Sequence, residues 1–99
     1  MQGSSNRSVA ITTTSSELTP QVIGAVRRTQ IIITNTSATT LTVNKNDTQA
    51  AVAGTGILLS QNQSYIESDD GGFRCWQGAW QAVGSANSTV SVVETFETP

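Results

Sequence analysis

Short runs in which apolar and polar residues alternate recur along this chain, separated by turn-forming residues. Residues 29–35 place Ile31 and Ile33 on one face, and residues 40–44 repeat the alternation after a short polar turn. Residues 89–97 show the same two-residue period. Because no stretch of useful length has an apolar residue every 3.6 positions, the pattern predicts β-strands and no helix.

Three local patterns predict β-hairpins. The stretch 53–68 combines Gly54 and Gly56 with a short apolar run, a polar turn and a second extended run. Two further hairpins are predicted to join residues 29–35 to 40–44 and residues 73–76 to 79–83. Seven or eight short strands at spacings of about 8 to 12 residues are typical of a β-sandwich or barrel. We therefore predict an all-β fold, a small antiparallel β-sandwich of jelly-roll-like form.

Residues 1–25 are polar, rich in serine and threonine, and only weakly patterned except for a β-branched run at residues 9–14. Pro20 then interrupts any further strand. We predict that residues 1–25 form an extended arm that pairs at a sheet edge or reaches a neighbouring subunit, and that residues 26–99 form the sandwich. A partly disordered N-terminus is the alternative. Deletion of residues 1–20 is then expected to weaken partner binding and to leave the domain folded.

Length and charge narrow the possibilities. The chain has 99 residues, enough for one domain with one core. Only 12% of its residues are charged and its net charge is -2, so it lacks the clustered basic face that direct nucleic-acid binding requires. The basic doublet Arg27-Arg28 falls on a predicted strand, where the two side chains point to opposite faces and form a solvated or paired edge.

The residues for common catalytic and metal-binding chemistry are scarce. The chain has one cysteine, Cys75, and no histidine, which excludes an internal disulfide, the usual zinc ligand sets, and serine–histidine or cysteine–histidine pairs. Asp69-Asp70 before two glycines fits a plain turn better than a calcium loop. We predict no enzyme activity, no cofactor and no metal, and we expect Cys75 to be a small buried hydrophobe.

The sequence also argues against membrane contact. No apolar run approaches the roughly 20 residues of a membrane span, and the first residues lack the basic and apolar regions of a signal peptide. We therefore expect a soluble protein that is made in a reducing cytosol.

Two features leave alternatives open. Glu94 lies in phase with Val90, Val92 and Phe96, so its carboxylate either marks the strand leaving the core, is displaced by a bulge, or is paired with a cation. The exit from the core is the preferred interpretation. The second feature is the pair of tryptophans, for which we predict core packing, with a stacking platform for sugar rings as the alternative.

Several short motifs together resemble a family of virion proteins. They are Arg28-x-x-Ile31-x-Ile33-x-Asn35-x-Ser37, Leu41-x-Val43, Gly54-x-Gly56-Ile57-x-Leu59 with Ser64-Tyr65-x-Glu67-Ser68, Gly78-x-Trp80-x-Ala82, and Val90-x-Val92-x-Glu94. Over residues 26–97 this set looks like the β-sandwich head-decoration or cement proteins of tailed phages. The resemblance implies a structural protein, often a homotrimer, that is made in the host cytoplasm and bridges subunits of the major capsid protein on the capsid surface.

Partner contacts are predicted at the arm, the arginine doublet and the tryptophans. The residues are Val9, Ile11, Thr13, Arg27, Arg28, Trp76 and Trp80. The competing hypothesis is a carbohydrate- or receptor-binding β-sandwich module on a phage fibre or a cell surface. An exposed coplanar pair of tryptophans favours sugar stacking, whereas buried rings favour a structural role.

Overall fold

The computed structural model describes residues 2–98, and every regular element in them is a β-strand. The strands are β1 (Gln2–Ile11), β2 (Ser16–Thr19), β3 (Arg27–Asn35), β4 (Leu41–Lys45), β5 (Ile57–Leu59), β6 (Ser64–Ser68), β7 (Trp80–Gly84) and β8 (Ser88–Glu97). No helix in these residues is long and apolar enough to cross a membrane. The all-β prediction is confirmed.

The strands form two antiparallel four-stranded sheets. Sheet I has the order β1-β8-β3-β6, and sheet II has the order β2-β7-β4-β5. The first strand therefore pairs with the eighth, the second with the seventh, the third with the sixth and the fourth with the fifth. This nested pairing across two sheets is the jelly-roll arrangement, which confirms the predicted jelly-roll-like sandwich.

All three predicted hairpins are wrong. β3 lies in sheet I and β4 in sheet II, and β5 lies in sheet II while β6 lies in sheet I. A short polar connection can close a hairpin or cross to the facing sheet, and the local sequence does not distinguish the two. Residues 73–76 do not form a strand, because the backbone amides of Cys75 and Trp76 donate to the carboxylates of Asp69 and Glu67 instead.

The segment predicted to be an arm supplies one strand to each sheet. β1 pairs with β8 over its whole length without a register shift. β2 pairs with β7 around a bulge. Ile11 of β1 and Leu18 of β2 are buried in the core. The sandwich therefore extends across the boundary predicted after residue 25, and both strands belong to it.

Apolar side chains from both sheets fill the space between them. Trp80 in β7 is the largest fully buried side chain, and its ring centroid lies 5.5 Å from that of Tyr65. The core consists of Ile11, Leu18, Ile31, Ile33, Leu41, Val43, Leu59, Cys75, Trp80, Ala82, Val90 and Val92. Each large aliphatic side chain that is fully buried contributes about 1.5–3 kcal/mol. The two-residue alternation of the sequence encodes this inner surface.

Candidate assembly site on the first strand

β1 forms one border of sheet I and has no partner strand on its outer side among residues 2–98. It has 10 residues, whereas the other border strands β6, β2 and β5 have 5, 4 and 3 residues. An unpaired border strand presents a row of backbone N–H and C=O groups that another strand can bind. β1 is therefore the longest free strand edge that the described residues offer.

The sequence of β1 leaves this edge open to pairing. Its exposed side chains are small and uncharged: Ser4, Asn6, Ser8 and Ala10. Proteins protect border strands with charges, prolines, bulges or a covering segment, and β1 contains neither a proline nor a bulge. Arg7 is its only charged residue, and it pairs with the buried Glu94. Little in the strand therefore opposes an approaching partner.

Behind this edge, a buried carboxylate is paired with two arginines. Glu94 in β8 is 2% exposed. Its Oε1 accepts a hydrogen bond from Nη1 of Arg7 at 2.6 Å, and its Oε2 accepts one from Nε of Arg28 at 2.8 Å. The hydroxyl of Thr19 in β2 lies 3.1 Å from both oxygens. Of the interpretations considered for Glu94, pairing with a cation is therefore correct. The preferred interpretation, that the strand leaves the core at this residue, is wrong.

Arg28 connects β3 to two loops through its remaining N–H groups. Nη1 donates to the carbonyls of Trp76 at 2.7 Å and Gly78 at 3.1 Å, and Nη2 donates to the carbonyl of Pro20 at 3.2 Å. The side chain is 0% exposed, so these carbonyls and Glu94 replace the water that it loses. Arg28 is therefore a structural centre of this end of the sandwich.

Arg27 points to the other face of β3, as predicted for adjacent residues of a strand. Its guanidinium pairs with the carboxylate of Asp69. At the doublet β3 pairs with β8 alone, because its pairing with β6 begins at Gln30. Both arginines are paired with carboxylates, which agrees with the paired form of the predicted edge. Asp69 also accepts a bond from the backbone amide of Cys75 at 2.9 Å, which confirms the predicted aspartate turn. The bonds from Arg27 and Cys75 hold the pKa of the Asp69 carboxyl below its ordinary value.

A second buried carboxylate, that of Glu67 in β6, ties the two sheets together. Lys45 of β4 pairs with its Oε1. The hydroxyl of Tyr65 donates to the same oxygen at 2.8 Å, and the backbone amide of Trp76 donates to Oε2 at 2.7 Å. Burial raises the pKa of Glu67, but the hydrogen bonds from Lys45, Trp76 and Tyr65 outweigh it and hold that pKa below its ordinary value.

Cys75 is a small buried hydrophobe, as predicted. Burial raises the pKa of its thiol to about 11. A thiol that is covered and protonated at neutral pH is a poor nucleophile. Among the described residues, no group of three or more acidic or cysteine side chains is placed to hold a metal ion.

The residues predicted to contact partners differ widely in exposure. Buried within the chain are Ile11, Arg28 and Trp80. Partly buried are Val9, Arg27 and Trp76, and exposed is Thr13. The buried residues offer no surface to a partner, because inward-facing strand positions are covered by the opposite sheet. Contact of the others with a partner stays a prediction.

The tryptophans do not form an exposed coplanar pair. Trp80 is fully buried, which confirms its predicted place in the core. Trp76 is half-buried and packs against the core, and its Nε1 donates to the carbonyl of Ala79 at 3.1 Å. The arrangement that would favour sugar stacking is therefore not formed by these two rings.

Sequence reasoning missed β2 and the partners of Glu94. β2 has only four residues, too few for alternation to stand out. A bulge between Arg28 and Gln30 in β3 turns Arg28 toward the core, although its parity in the sequence differs from that of Ile31. The sequence did contain one signal for these partners: Glu94 has the same phase as Val92, so its carboxylate faces the core and needs a buried cation as its partner.

The fold defines the chain as a small jelly-roll sandwich with an open border strand. No family model and no curated protein sequence matches it. Among solved structures it is similar to a chain of Bacillus endospore appendages, described as a novel family of disulfide-linked pili, with a TM-score of 0.59 and 13% identity. The match covers 99% of this chain and 87% of that chain. At this identity the similarity shows a shared fold.

Proposed function

We propose that this chain is a structural subunit of an ordered protein assembly, without enzymatic activity, and that it joins its neighbours by strand pairing along β1. The observation that carries the proposal is the free 10-residue edge of β1. Main-chain pairing provides contact with little demand on side-chain identity. It therefore suits a strand whose exposed side chains are small and polar.

The direction of the strands allows the pairing to repeat. Neighbouring strands of sheet I alternate in direction, so β1 and β6 at its two borders run in opposite directions. A second copy that is shifted sideways without being turned over would place its β6 antiparallel to β1 of the first copy. Such head-to-tail contacts close into rings or continue as filaments. β6 has 5 residues, so part of the longer β1 would remain for a different partner.

Two forms of this function have separate support. The resemblance of the sequence motifs to those of phage head-decoration proteins favours a trimer on a capsid surface that bridges subunits of the major capsid protein. The shared fold with a protein of endospore pili favours an extended filament. Both are structural roles. They differ in whether the repeated contacts between copies close into a ring or continue as an open filament.

The cysteine distinguishes this chain from the protein of that comparison. The endospore appendages are described as disulfide-linked, whereas the single cysteine of this chain is buried and its thiol pKa is raised. We propose that this chain associates without covalent links, through strand pairing alone. Reducing agents are then expected to leave the assembly intact.

The test blocks the edge of β1 with charge. In the double variant Asn6→Lys and Ser8→Lys, two exposed polar residues of the edge become lysines, which oppose strand addition. The matched control, Thr48→Lys and Ala50→Lys, adds the same charge to an exposed loop. Sedimentation velocity and negative-stain microscopy over a range of concentrations measure assembly, and circular dichroism measures folding.

We expect the native chain and the loop variant to associate and the edge variant to stay monomeric with an unchanged fold. Closed trimers would support the capsid form, and extended fibres would support the filament form. A native chain that is monomeric at every concentration, alone and with reducing agent, would contradict self-assembly. Association of the edge variant at the native strength would contradict the role of β1.

A further inference from the structure

A cleft of about 470 Å³ opens at one end of the sandwich, beside the buried Glu94 centre. It lies between the N-terminal half of β1, the end of β8 and the loop that follows β2. Its volume falls in the range of roughly 300–1,000 Å³ that is common for small-molecule sites. The strand-pairing function proposed above makes no use of this cleft.

One wall of the cleft is apolar. Val22, Ile23 and Val26 from the loop face Phe96 of β8. Ile23 is 78% exposed, a large fraction for an isoleucine. An apolar ligand group placed here would remove this surface from water, which is favourable in proportion to the area that is covered.

The base of the cleft carries an excess positive charge. The charged residues that line it are Arg7, Arg28 and Glu94, and their charges sum to +1. The N–H groups of Arg28 are engaged by Glu94 and by three backbone carbonyls. Glu94 is already shared by the two guanidinium groups. One carboxylate cannot neutralise both guanidinium groups, and the excess positive charge is accessible at Arg7, which is 32% exposed, whereas Arg28 is 0% exposed.

Arg7 also has an unused donor. Its Nη1 donates to Glu94, but its Nη2 is buried and finds no acceptor among the described residues. The side chain as a whole is 32% exposed, so it lies at the boundary between the cleft and the interior. A buried N–H group without an acceptor is unfavourable, because the water that it loses on folding is not replaced. An anionic acceptor that entered the cleft would offset this cost, since Arg binds carboxylates with good geometry.

We propose that this cleft binds a carboxylate that is attached to a short branched or aromatic apolar group. The carboxylate pairs with Arg7, whose guanidinium turns slightly to present Nη2, while the apolar group packs against Ile23, Val26 and Phe96. Arg28 positions the site by holding Glu94. The same chemistry is carried by a small free acid and by the C-terminal residue of a peptide segment.

The test compares ligands that differ in one property. The native protein is titrated with isocaproate, with isocaproamide of nearly the same shape but no charge, and with acetate, which has the charge but lacks the apolar group. Backbone amide shifts in NMR spectra give both the affinity and the location. We expect isocaproate to shift residues around Ile23, Val26 and Phe96 and to bind at least tenfold more tightly than either control.

Two variants separate the charge from the apolar wall. Arg7→Gln removes the excess charge and leaves the Arg28–Glu94 pair in place, so the preference for the acid over the amide should disappear. Ile23→Ser changes an exposed residue and should weaken the acid and the amide alike. Equal affinity of the native protein for acid and amide would overturn the proposal, as would shifts outside the cleft, and this comparison needs no variant to fold.

A comparison of two peptides identifies the source of the ligand. A short acetylated peptide that ends in leucine with a free carboxylate is compared with its amidated form. Binding of the free-acid peptide as tightly as isocaproate supports a polypeptide segment as the ligand, and its failure to bind while isocaproate binds supports a small free acid. The titration can also be carried out on the edge variant of β1, which retains Arg7 and is expected to stay monomeric. Failure of ligand binding and failure of the proposed assembly can therefore be told apart.

Discussion

Glu94 and Arg28 have lost nearly all contact with water, and their charges are compensated within the chain. Arg28 donates hydrogen bonds to one carboxylate and three backbone carbonyls. Glu94 also accepts hydrogen bonds from Arg7 and Thr19. A buried ion pair of this kind adds little net stability compared with apolar residues, because both groups were desolvated. Removal of one partner is costly, however, since the other charge is left buried without compensation.

At this scale we predict the effect of Glu94→Gln. The amide keeps the shape of the side chain but leaves Arg28 without a counter-ion in the interior. The free energy of unfolding should therefore fall by about 3 kcal/mol. Urea denaturation followed by tryptophan fluorescence measures the change. The control Glu17→Gln neutralises an exposed carboxylate and should change the free energy of unfolding by less than about 0.5 kcal/mol. Equal stability of the two variants would contradict the structural role of the pair.

At the scale of elements, the two sides of β1 have different surroundings. Its inner side pairs with β8 and carries Ile11 into the core, and its outer side is free. Deletion of residues 1–20 would therefore remove β1 and β2 together. We now expect that deletion to unfold the domain, in contrast to the sequence-based expectation that the rest would stay folded. Point substitutions separate the two sides better than truncation.

Ile11→Ala tests whether β1 belongs to the domain. Ile11 is buried, so the lost apolar contacts and the resulting cavity should lower the free energy of unfolding by about 2–5 kcal/mol. Thr13→Ala, two residues away in an exposed turn, is the matched control and should have little effect. Chemical denaturation of both variants provides the comparison. If Ile11→Ala were as mild as its control, β1 would behave as a detachable arm.

At the scale of the whole molecule, polar groups connect the two sheets at two separate places. Lys45 of sheet II pairs with Glu67 of sheet I, and Thr19 of sheet II donates to Glu94 of sheet I. Apolar packing holds the sheets together but does not fix their relative position as strictly. These connections select one arrangement, because a sliding sheet would leave buried polar groups without partners.

The stability of the whole molecule should depend on pH in the acid range. The pKa of Glu67 is lowered in the folded protein, so the unfolded chain binds protons more readily below its ordinary pKa of about 4.3. The stability that this carboxylate contributes is present above that value and is lost as the pH falls toward the lower folded pKa. Urea denaturation at neutral pH and near pH ~3 should show a clear loss in the native chain.

Glu67→Gln should reduce the difference between the two pH values, because the titrating group is gone. Tyr65→Phe is the matched comparison, since it removes one hydrogen bond to the same carboxylate but leaves that carboxylate able to titrate. It should keep most of the pH dependence. A Glu67→Gln variant with the full native dependence would show that other carboxylates, such as Asp69, dominate acid unfolding.

The sequence by itself determined the type of element and the composition of the core. Alternation placed Ile31, Ile33, Val90 and Val92 on inner faces, because successive side chains of a strand point to opposite sides. The lack of histidine and the single cysteine set the chemistry that the chain can offer. These properties depend on composition and on local geometry, so they could be predicted without knowing which strands meet.

The tertiary structure alone decided which strands pair and where the open edge lies. A short polar turn has the same local sequence whether it closes a hairpin or crosses between sheets, which is why three hairpins were predicted and none formed. The bulge in β3 turned Arg28 inward to meet Glu94, a contact across 66 positions of the chain. Likewise, β1 is a border strand because, among the described residues, it pairs with β8 on one side and with no strand on the other. Such long-range choices depend on the energy of the whole packed sandwich and not on the preferences of any one segment.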